Sequence, residues 1–130
     1  MEITFDGNKV ITAHLSSGHQ VKTDQPVKVG GESSAPAPFE LFLASIGTCA
    51  GIYIKSFCDQ RNISTEHIKI NQTAQYNNET GLPTDIKLEI QLPADFPEKY
   101  KAAVINAAEL CKVKKTIANP PKFEVITSIK

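Results

Sequence analysis

Three cysteines are the residues of this sequence best suited to covalent chemistry. Cys49 lies between two glycines in GTCAG, inside the apolar run PFELFLASIGTCAGIYIKSF. A thiolate is a nucleophile, whereas a free cysteine in an apolar run is often a small buried hydrophobe. A mid-helix position does not lower the pKa of a thiol as a helix N-terminus does. Local sequence therefore leaves both interpretations of Cys49 open.

The other two cysteines are predicted to differ in role. Cys58 follows Cys49 by nine residues, which places it about 180° round an ideal helix and indicates a structural residue. Cys111 closes a second predicted helix. If the two helices pack together, Cys49 and Cys111 could act as attacking and resolving thiols. The odd cysteine count, the lack of CxxC spacing and the scattered histidines predict neither a disulfide framework nor a metal site.

Composition excludes several functional classes. The chain of 130 residues has 14 basic and 14 acidic residues and a net charge of zero, which disfavours nucleic acid or an anionic membrane as a partner. Its length predicts one domain, residues 1–130. The N-terminus lacks the pattern of a signal peptide. Glu40, Ser45 and Lys55 interrupt the apolar run, so a soluble cytoplasmic protein without a membrane span is expected.

Hydrophobic periodicity predicts an α+β fold with the element order β-β-β-α-β-β-α-β. Alternation and turn signals, among them Asp6-Gly7, predict mostly antiparallel sheets packed on two long helices. The predicted strands cover residues 2–5, 9–15, 19–29, 66–76, 84–92 and 122–129, and the predicted helices cover residues 39–61 and 97–114. Because the first helix is apolar nearly all round, one sheet and one helix would not cover it, and a homodimer is expected.

Two motifs carry a family resemblance. PAPFELFLASIGTCAG, followed at a distance by AAELCKVKKTI, resembles the OsmC/Ohr family of osmotically induced and organic-hydroperoxide-resistance proteins. Pro38, Glu40, Leu41 and Cys49 match the first motif, and Cys111 matches the second. Length and element order agree as well, so the resemblance covers essentially the whole chain. The sequence is identified as a divergent OsmC-like member.

The resemblance implies an intertwined homodimer, with sheets wrapped around the central helices and sites at the subunit interface. It also implies a thiol-dependent peroxidase that reduces organic hydroperoxides or hydrogen peroxide in oxidative-stress defence. Cys49 would attack the peroxide and Cys111 would resolve the sulfenic acid, with Glu40 assisting at the start of the helix. An external dithiol would reduce the disulfide, without a metal or other cofactor. The expected interface pocket is lined by Phe39, Leu43 and Phe57.

The resemblance also implies an arginine from the N-terminal region beside the nucleophile. Arg61 is the only arginine of this chain and lies at the far end of the predicted central helix. A lysine, Lys9, Lys22 or Lys28, would have to supply the positive charge. The alternative function is a non-catalytic OsmC-like protein that binds a small apolar ligand or senses redox state at the dimer interface.

Overall fold

The computed structural model describes residues 1–130. These residues divide into two compact units, residues 1–45 and residues 46–130. The first unit holds three short strands, and the second holds a two-stranded sheet and two short helices. One long helix begins in the first unit and ends in the second.

The first unit contains a three-stranded antiparallel sheet in the order β1-β2-β3. Strand β1 is Glu2–Phe5, β2 is Ile11–His14 and β3 is Gln20–Thr23. The β1–β2 turn places Gly7 at φ 96° and Asn8 at φ 47°, conformations that glycine and asparagine tolerate best. The Asp6-Gly7 turn signal therefore predicted the first hairpin correctly.

The loop after β3 is organised around the fully buried carboxylate of Asp24. It accepts hydrogen bonds from the amides of Gln25 (2.7 Å), Glu32 (3.2 Å) and Ser34 (3.0 Å), and from the Ser34 hydroxyl (2.7 Å). These bonds, the Ser34 hydroxyl foremost, lower the pKa of Asp24 to about 2. Only glycine fits at Gly31, where a Cβ would lie 1.9 Å from the Gln25 carbonyl oxygen.

The long helix α1 spans Pro38–Asp59, within two residues at each end of the predicted bounds of 39–61. Proline suits the first helical position because its missing N–H has no intrahelical partner there. The Glu40 carboxylate accepts the Ala37 amide at 2.7 Å, which is one half of a capping box. At the other end, the Arg61 guanidinium donates to the Phe57 carbonyl at 3.0 Å and so satisfies a free C-terminal acceptor.

The second unit packs α1 against an antiparallel pair. Strand β4 is Lys69–Tyr76 and β5 is Pro83–Gln91, both predicted from their alternation. Their apolar side chains point to one face, where Ile70 pairs with Ile90. The buried core on that face consists of Ala50, Ile54, Cys58, Phe96, Val104 and Ala108.

The prediction of one continuous long helix at residues 97–114 is wrong. A 3-10 turn at Glu98–Tyr100 leads into α2, Lys101–Glu109, and a separate helix α3 covers Lys112–Ala118. The chain breaks at Cys111, whose φ of −47° and ψ of 116° are extended rather than helical. The apolar stripe continues through this break, because Cys111 stays buried while it caps the next helix.

The last strand, predicted at residues 122–129, is also absent. Residues 119–130 have no regular secondary structure. The side chains of Phe123 and Val125 are 87% and 93% exposed. The alternation of this segment is typical of a strand, but a strand needs a neighbour for its backbone groups, and none is provided within this chain.

Candidate active site

The structure brings two of the predicted site residues together. Cys49 lies half-buried on α1, and Cys111 lies fully buried at the start of α3. The two side chains are neighbours, and Cys111 contributes to lowering the pKa of the Cys49 thiol. The Cys111 thiol donates its proton to the Ile46 carbonyl at 3.8 Å, one helical turn before Cys49. The structure therefore brings Cys49 and Cys111 together, and their roles as attacking and resolving thiols stay predictions.

The first turn of α3 is directed at these two sulfurs. The amides of Lys112 and Val113 lie beside the Cys49 sulfur and lower the pKa of its thiol. The Lys114 amide donates to the Cys111 sulfur at 3.4 Å, which makes Cys111 the N-cap of α3. The first three amides of a helix have no intrahelical acceptor. Here all three lie next to cysteine sulfur.

This arrangement favours the Cys49 thiolate. The Val113 amide contributes most to lowering the pKa of the Cys49 thiol, against an opposing contribution from burial. The hydrogen bond with Cys111, the Lys112 amide and the Lys112 charge lower the pKa further. Hydrogen bonds to the charged form stabilise that form. Cys49 consequently carries more thiolate at neutral pH than an isolated cysteine.

The remaining residues predicted for the site have other visible contacts. The Glu40 carboxylate caps α1 through Ala37. Phe39 stacks on Phe42 with ring centroids 5.4 Å apart, and both rings are partly exposed. Leu43 is half-buried on the same helix. Their roles in catalysis or substrate binding stay predictions.

Phe57 belongs to an aromatic cluster at the C-terminal end of α1. Its ring meets Tyr100 edge-on at 5.8 Å, and the Arg61 guanidinium lies 3.8 Å from its centroid. The single arginine of the chain thus stacks on an aromatic ring and caps a helix. These contacts explain Phe57 and Arg61 structurally, and the pocket role of Phe57 stays a prediction.

Cys58 has the surroundings of a structural residue. It is fully buried in the core of the second unit, and burial raises the pKa of its thiol. A thiol held in its neutral form is a poor nucleophile. The chain contains no group of three or more His, Cys, Asp or Glu residues arranged to hold a metal ion.

Sequence reasoning missed the contribution of Lys112 and Val113. It placed both residues inside a continuous helix, where their amides would be bonded to carbonyls one turn earlier. The break at Cys111 frees these amides for Cys49. The only sequence signal was the position of a cysteine, a residue able to cap a helix with its sulfur, just before KVKK.

Comparison with known proteins places the chain in a family. The family of OsmC-like proteins matches residues 30–126, and this chain belongs to it. The match includes Cys49, Cys111 and all of α1. A comparison with curated proteins gives no significant match.

Solved structures share the fold. An osmotic stress induced and detoxification response protein from Psychrobacter arcticus has a TM-score of 0.74 and 22% identity, over 88% of this chain and 85% of that one. An organic hydroperoxide resistance protein from Legionella pneumophila has a TM-score of 0.53 and 21% identity, over 89% and 85%. An OsmC-like protein of unknown function from Vibrio cholerae has a TM-score of 0.60 and 13% identity, over 83% and 78%. At these identities the likeness concerns the fold.

Proposed function

We propose that this protein is a thiol-dependent peroxidase that reduces organic hydroperoxides or hydrogen peroxide in oxidative-stress defence. The observation that carries the proposal is the Cys49 thiol, which has a lowered pKa and a second thiol, Cys111, beside it. Family membership supports the general kind of chemistry, since the Legionella relative is named as an organic hydroperoxide resistance and redox protein.

In the first step, the Cys49 thiolate attacks the peroxide oxygen that carries hydrogen. An S–O bond forms, the O–O bond breaks, and the leaving alkoxide (hydroxide, from hydrogen peroxide) takes a proton from the solvent to become an alcohol (or water). Sulfur loses two electrons, and Cys49 becomes a sulfenic acid. The Val113 and Lys112 amides, which hold the thiolate, remain beside the sulfur during attack.

In the second step, the Cys111 thiol attacks the sulfenic sulfur of Cys49. An S–S bond forms, the S–O bond breaks, and the hydroxyl leaves as water with the thiol proton. The proximity of the two side chains supports Cys111 in this role. An external dithiol then reduces the disulfide by thiol–disulfide exchange. No other cofactor is needed.

Backbone amides take the place of a neighbouring guanidinium in this proposal. The chain has one arginine, and it stacks on Phe57. The amides of Lys112 and Val113, together with the Lys112 charge, lower the pKa of Cys49 instead. A functional thiolate therefore does not require Lys9, Lys22 or Lys28 to act as the cation.

A homodimer is part of the same proposal. Helix α1 is long and apolar enough by length and composition to span a membrane, and only 22% of that apolar window is buried. Ile52, three residues beyond Cys49 and on the same helical face, is 66% exposed. Since OsmC-like proteins are soluble, we infer that a second copy of this chain buries the exposed face of α1. The exposed alternating segment at residues 122–129 would add a strand to that interface.

The cytoplasm is the proposed location, because reducing conditions keep both cysteines available as thiols. All three cysteines are free in this structure. A cytoplasmic dithiol would then restore the pair after each turnover.

Single-turnover oxidation tests the proposed function. Reduced protein is mixed in a stopped-flow instrument with cumene hydroperoxide or, separately, hydrogen peroxide, and the modified cysteines are mapped by mass. We expect fast peroxide consumption that Cys49→Ser abolishes, and a Cys49–Cys111 disulfide in the wild type. Cys111→Ser should still consume one peroxide but accumulate a sulfenic acid. Oxidation no faster than that of a small thiol would instead favour the non-catalytic binding protein.

A further inference from the structure

Helix α3 depends on the two cysteines for its first turn. It has only seven residues, none of them fully buried. Short helices are marginal in water unless caps and packing support them. Its Lys114 amide donates to the Cys111 sulfur, and its Lys112 and Val113 amides lie beside the Cys49 sulfur and lower the pKa of that thiol. Further support comes from the Thr116 hydroxyl, which donates to the Lys112 carbonyl at 2.8 Å, and from the partly exposed ion pair between Lys114 and Glu109 of α2 at 2.6 Å.

We propose that α3 is a redox-sensitive element, ordered when Cys49 and Cys111 are reduced and released, together with residues 119–130, when the two sulfurs form a disulfide. This inference rests on the proposed function, because that disulfide is a product of the proposed reaction. It adds a conformational change that the reaction itself does not require.

Disulfide formation removes the acceptors that hold α3. The Cys49 sulfur, whose thiolate form the Val113 and Lys112 amides favour in the reduced protein, becomes a neutral disulfide sulfur, so its attraction for these amides weakens. The Cys111 sulfur loses its proton as water forms. It therefore also loses the hydrogen bond to the Ile46 carbonyl, which is 3.8 Å long in the reduced protein. An S–S bond of about 2.05 Å also draws this sulfur towards Cys49. The Lys114 amide, which lies 3.4 Å from the Cys111 sulfur in the reduced protein, loses this acceptor.

The C-terminal segment follows α3 directly. The Asn119 amide donates to the Lys115 carbonyl at 3.0 Å, and its side-chain amide donates to the same oxygen at 3.3 Å. Both contacts lie on the last turn of α3. Residues 119–130 are otherwise without regular structure. When α3 frays, this anchor is lost.

Release of α3 would widen access to the disulfide in the catalytic cycle. Cys111 is fully buried in the reduced protein, whereas Cys49 is half-buried. A reducing dithiol must reach one disulfide sulfur and attack it directly. Unfolding of residues 112–118 adds the Cys111 side of the disulfide to the surface that a reductant can approach. The same change makes the C-terminal segment respond to peroxide.

Hydrogen exchange with mass analysis on the full chain tests this inference. The disulfide is formed in two ways, with cumene hydroperoxide and with diamide, which takes up two electrons and two protons from the thiols. Loss of an N-cap shifts a helix-opening equilibrium roughly fivefold. We therefore expect at least about fivefold faster exchange at residues 112–118 in the oxidised protein, with unchanged exchange in β4 and β5 as the internal reference.

Two variants distinguish the effect of losing the N-cap at Cys111 from the effect of forming the disulfide. Cys111→Ser cannot form the disulfide but retains a good N-cap, so α3 should exchange slowly with and without diamide. Cys111→Ala lacks both, so α3 should exchange fast even when reduced. A disulfide confirmed by mass, with residues 112–118 as protected as in the reduced protein, overturns the inference and leaves the peroxidase intact. A disulfide that forms with diamide but not with peroxide overturns only the peroxidase. Failure of both oxidants overturns both proposals.

Discussion

The two glycines of α1 that flank Cys49 should respond oppositely to alanine. Replacing a glycine by alanine inside a helix stabilises the helix by about 1 kcal/mol. At Gly51, a Cβ would lie 3.7 Å from the Ile70 Cδ1 atom, an ordinary van der Waals contact. Gly51→Ala should therefore realise the whole gain of about 1 kcal/mol in the free energy of unfolding.

At Gly47, the same change meets an obstacle. A Cβ there would lie 2.8 Å from the Gln72 Oε1 atom of β4, closer than a real Cβ comes to another heavy atom. The Gln72 side chain must leave its rotamer, which costs about 0.5–1.5 kcal/mol. That cost cancels the gain in helix propensity. Gly47→Ala should therefore be neutral or slightly destabilising, about 1 kcal/mol below Gly51→Ala.

Urea unfolding followed by circular dichroism measures this difference. With a slope of about 2 kcal/mol per molar urea, a difference of about 1 kcal/mol separates the two midpoints by about 0.5 M. All variants are compared at one protein concentration, because the proposed dimerisation would make apparent stability depend on concentration. A Gly47→Ala midpoint equal to or above that of Gly51→Ala would refute the role given to Gln72. The presence of glycine at position 47 would then need a reason other than the approach of β4.

Two further predictions concern the first unit and the dimer. Because its hydrogen bonds hold the folded pKa of Asp24 at about 2, below the unfolded value, the stability that Asp24 contributes is present above about pH 4 and is lost as pH falls towards 2. Amide NMR spectra of residues 1–45, recorded as pH falls, measure this loss of stability. Asp24→Asn should remove the acid dependence, whereas the exposed control Asp85→Asn should retain it. Equal acid profiles of the two variants would contradict the prediction. Val125→Asp in the exposed C-terminal segment should shift the protein from dimer to monomer in light scattering, whereas the control Ser128→Asp, on the opposite face of the predicted strand, should affect it less. A wild-type monomer, or a Val125→Asp dimer of unchanged stability, would exclude this interface.

Local signals in the sequence predicted the elements that depend on local physics. The Asp6-Gly7 turn specified the first hairpin, and Pro38 with Glu40 specified the start of α1. The alternation in β4 and β5 also needed no distant partner to be read. In each case the residues that stabilise the element lie within it or beside it.

The errors occurred where distant residues decide the structure. The stripe through Val104, Ala107 and Cys111 continues across the break between α2 and α3, so periodicity could not reveal it. The break becomes favourable because amides of α3 find acceptors on Cys49, far away in the sequence. The segment 122–129 has the alternation of a strand, but pairing depends on a neighbouring strand, and no strand of this chain pairs with it. The cysteine pair was predictable from the family motifs, and the amides that hold it were not.

Because backbone amides of α3 favour the Cys49 thiolate, the reactivity of Cys49 depends on whether α3 is folded. A guanidinium carries its charge whatever the surrounding backbone does, because it stays protonated in proteins. The Lys112 and Val113 amides act on Cys49 only while α3 is folded. In turn, α3 relies on the sulfurs of Cys49 and Cys111 as its cap. Cys49 and α3 thus stabilise each other in the reduced state, and in the proposed reaction oxidation of the pair would end both contributions at once. Any substitution that frays α3 should therefore slow peroxide attack at Cys49, even where it touches neither cysteine.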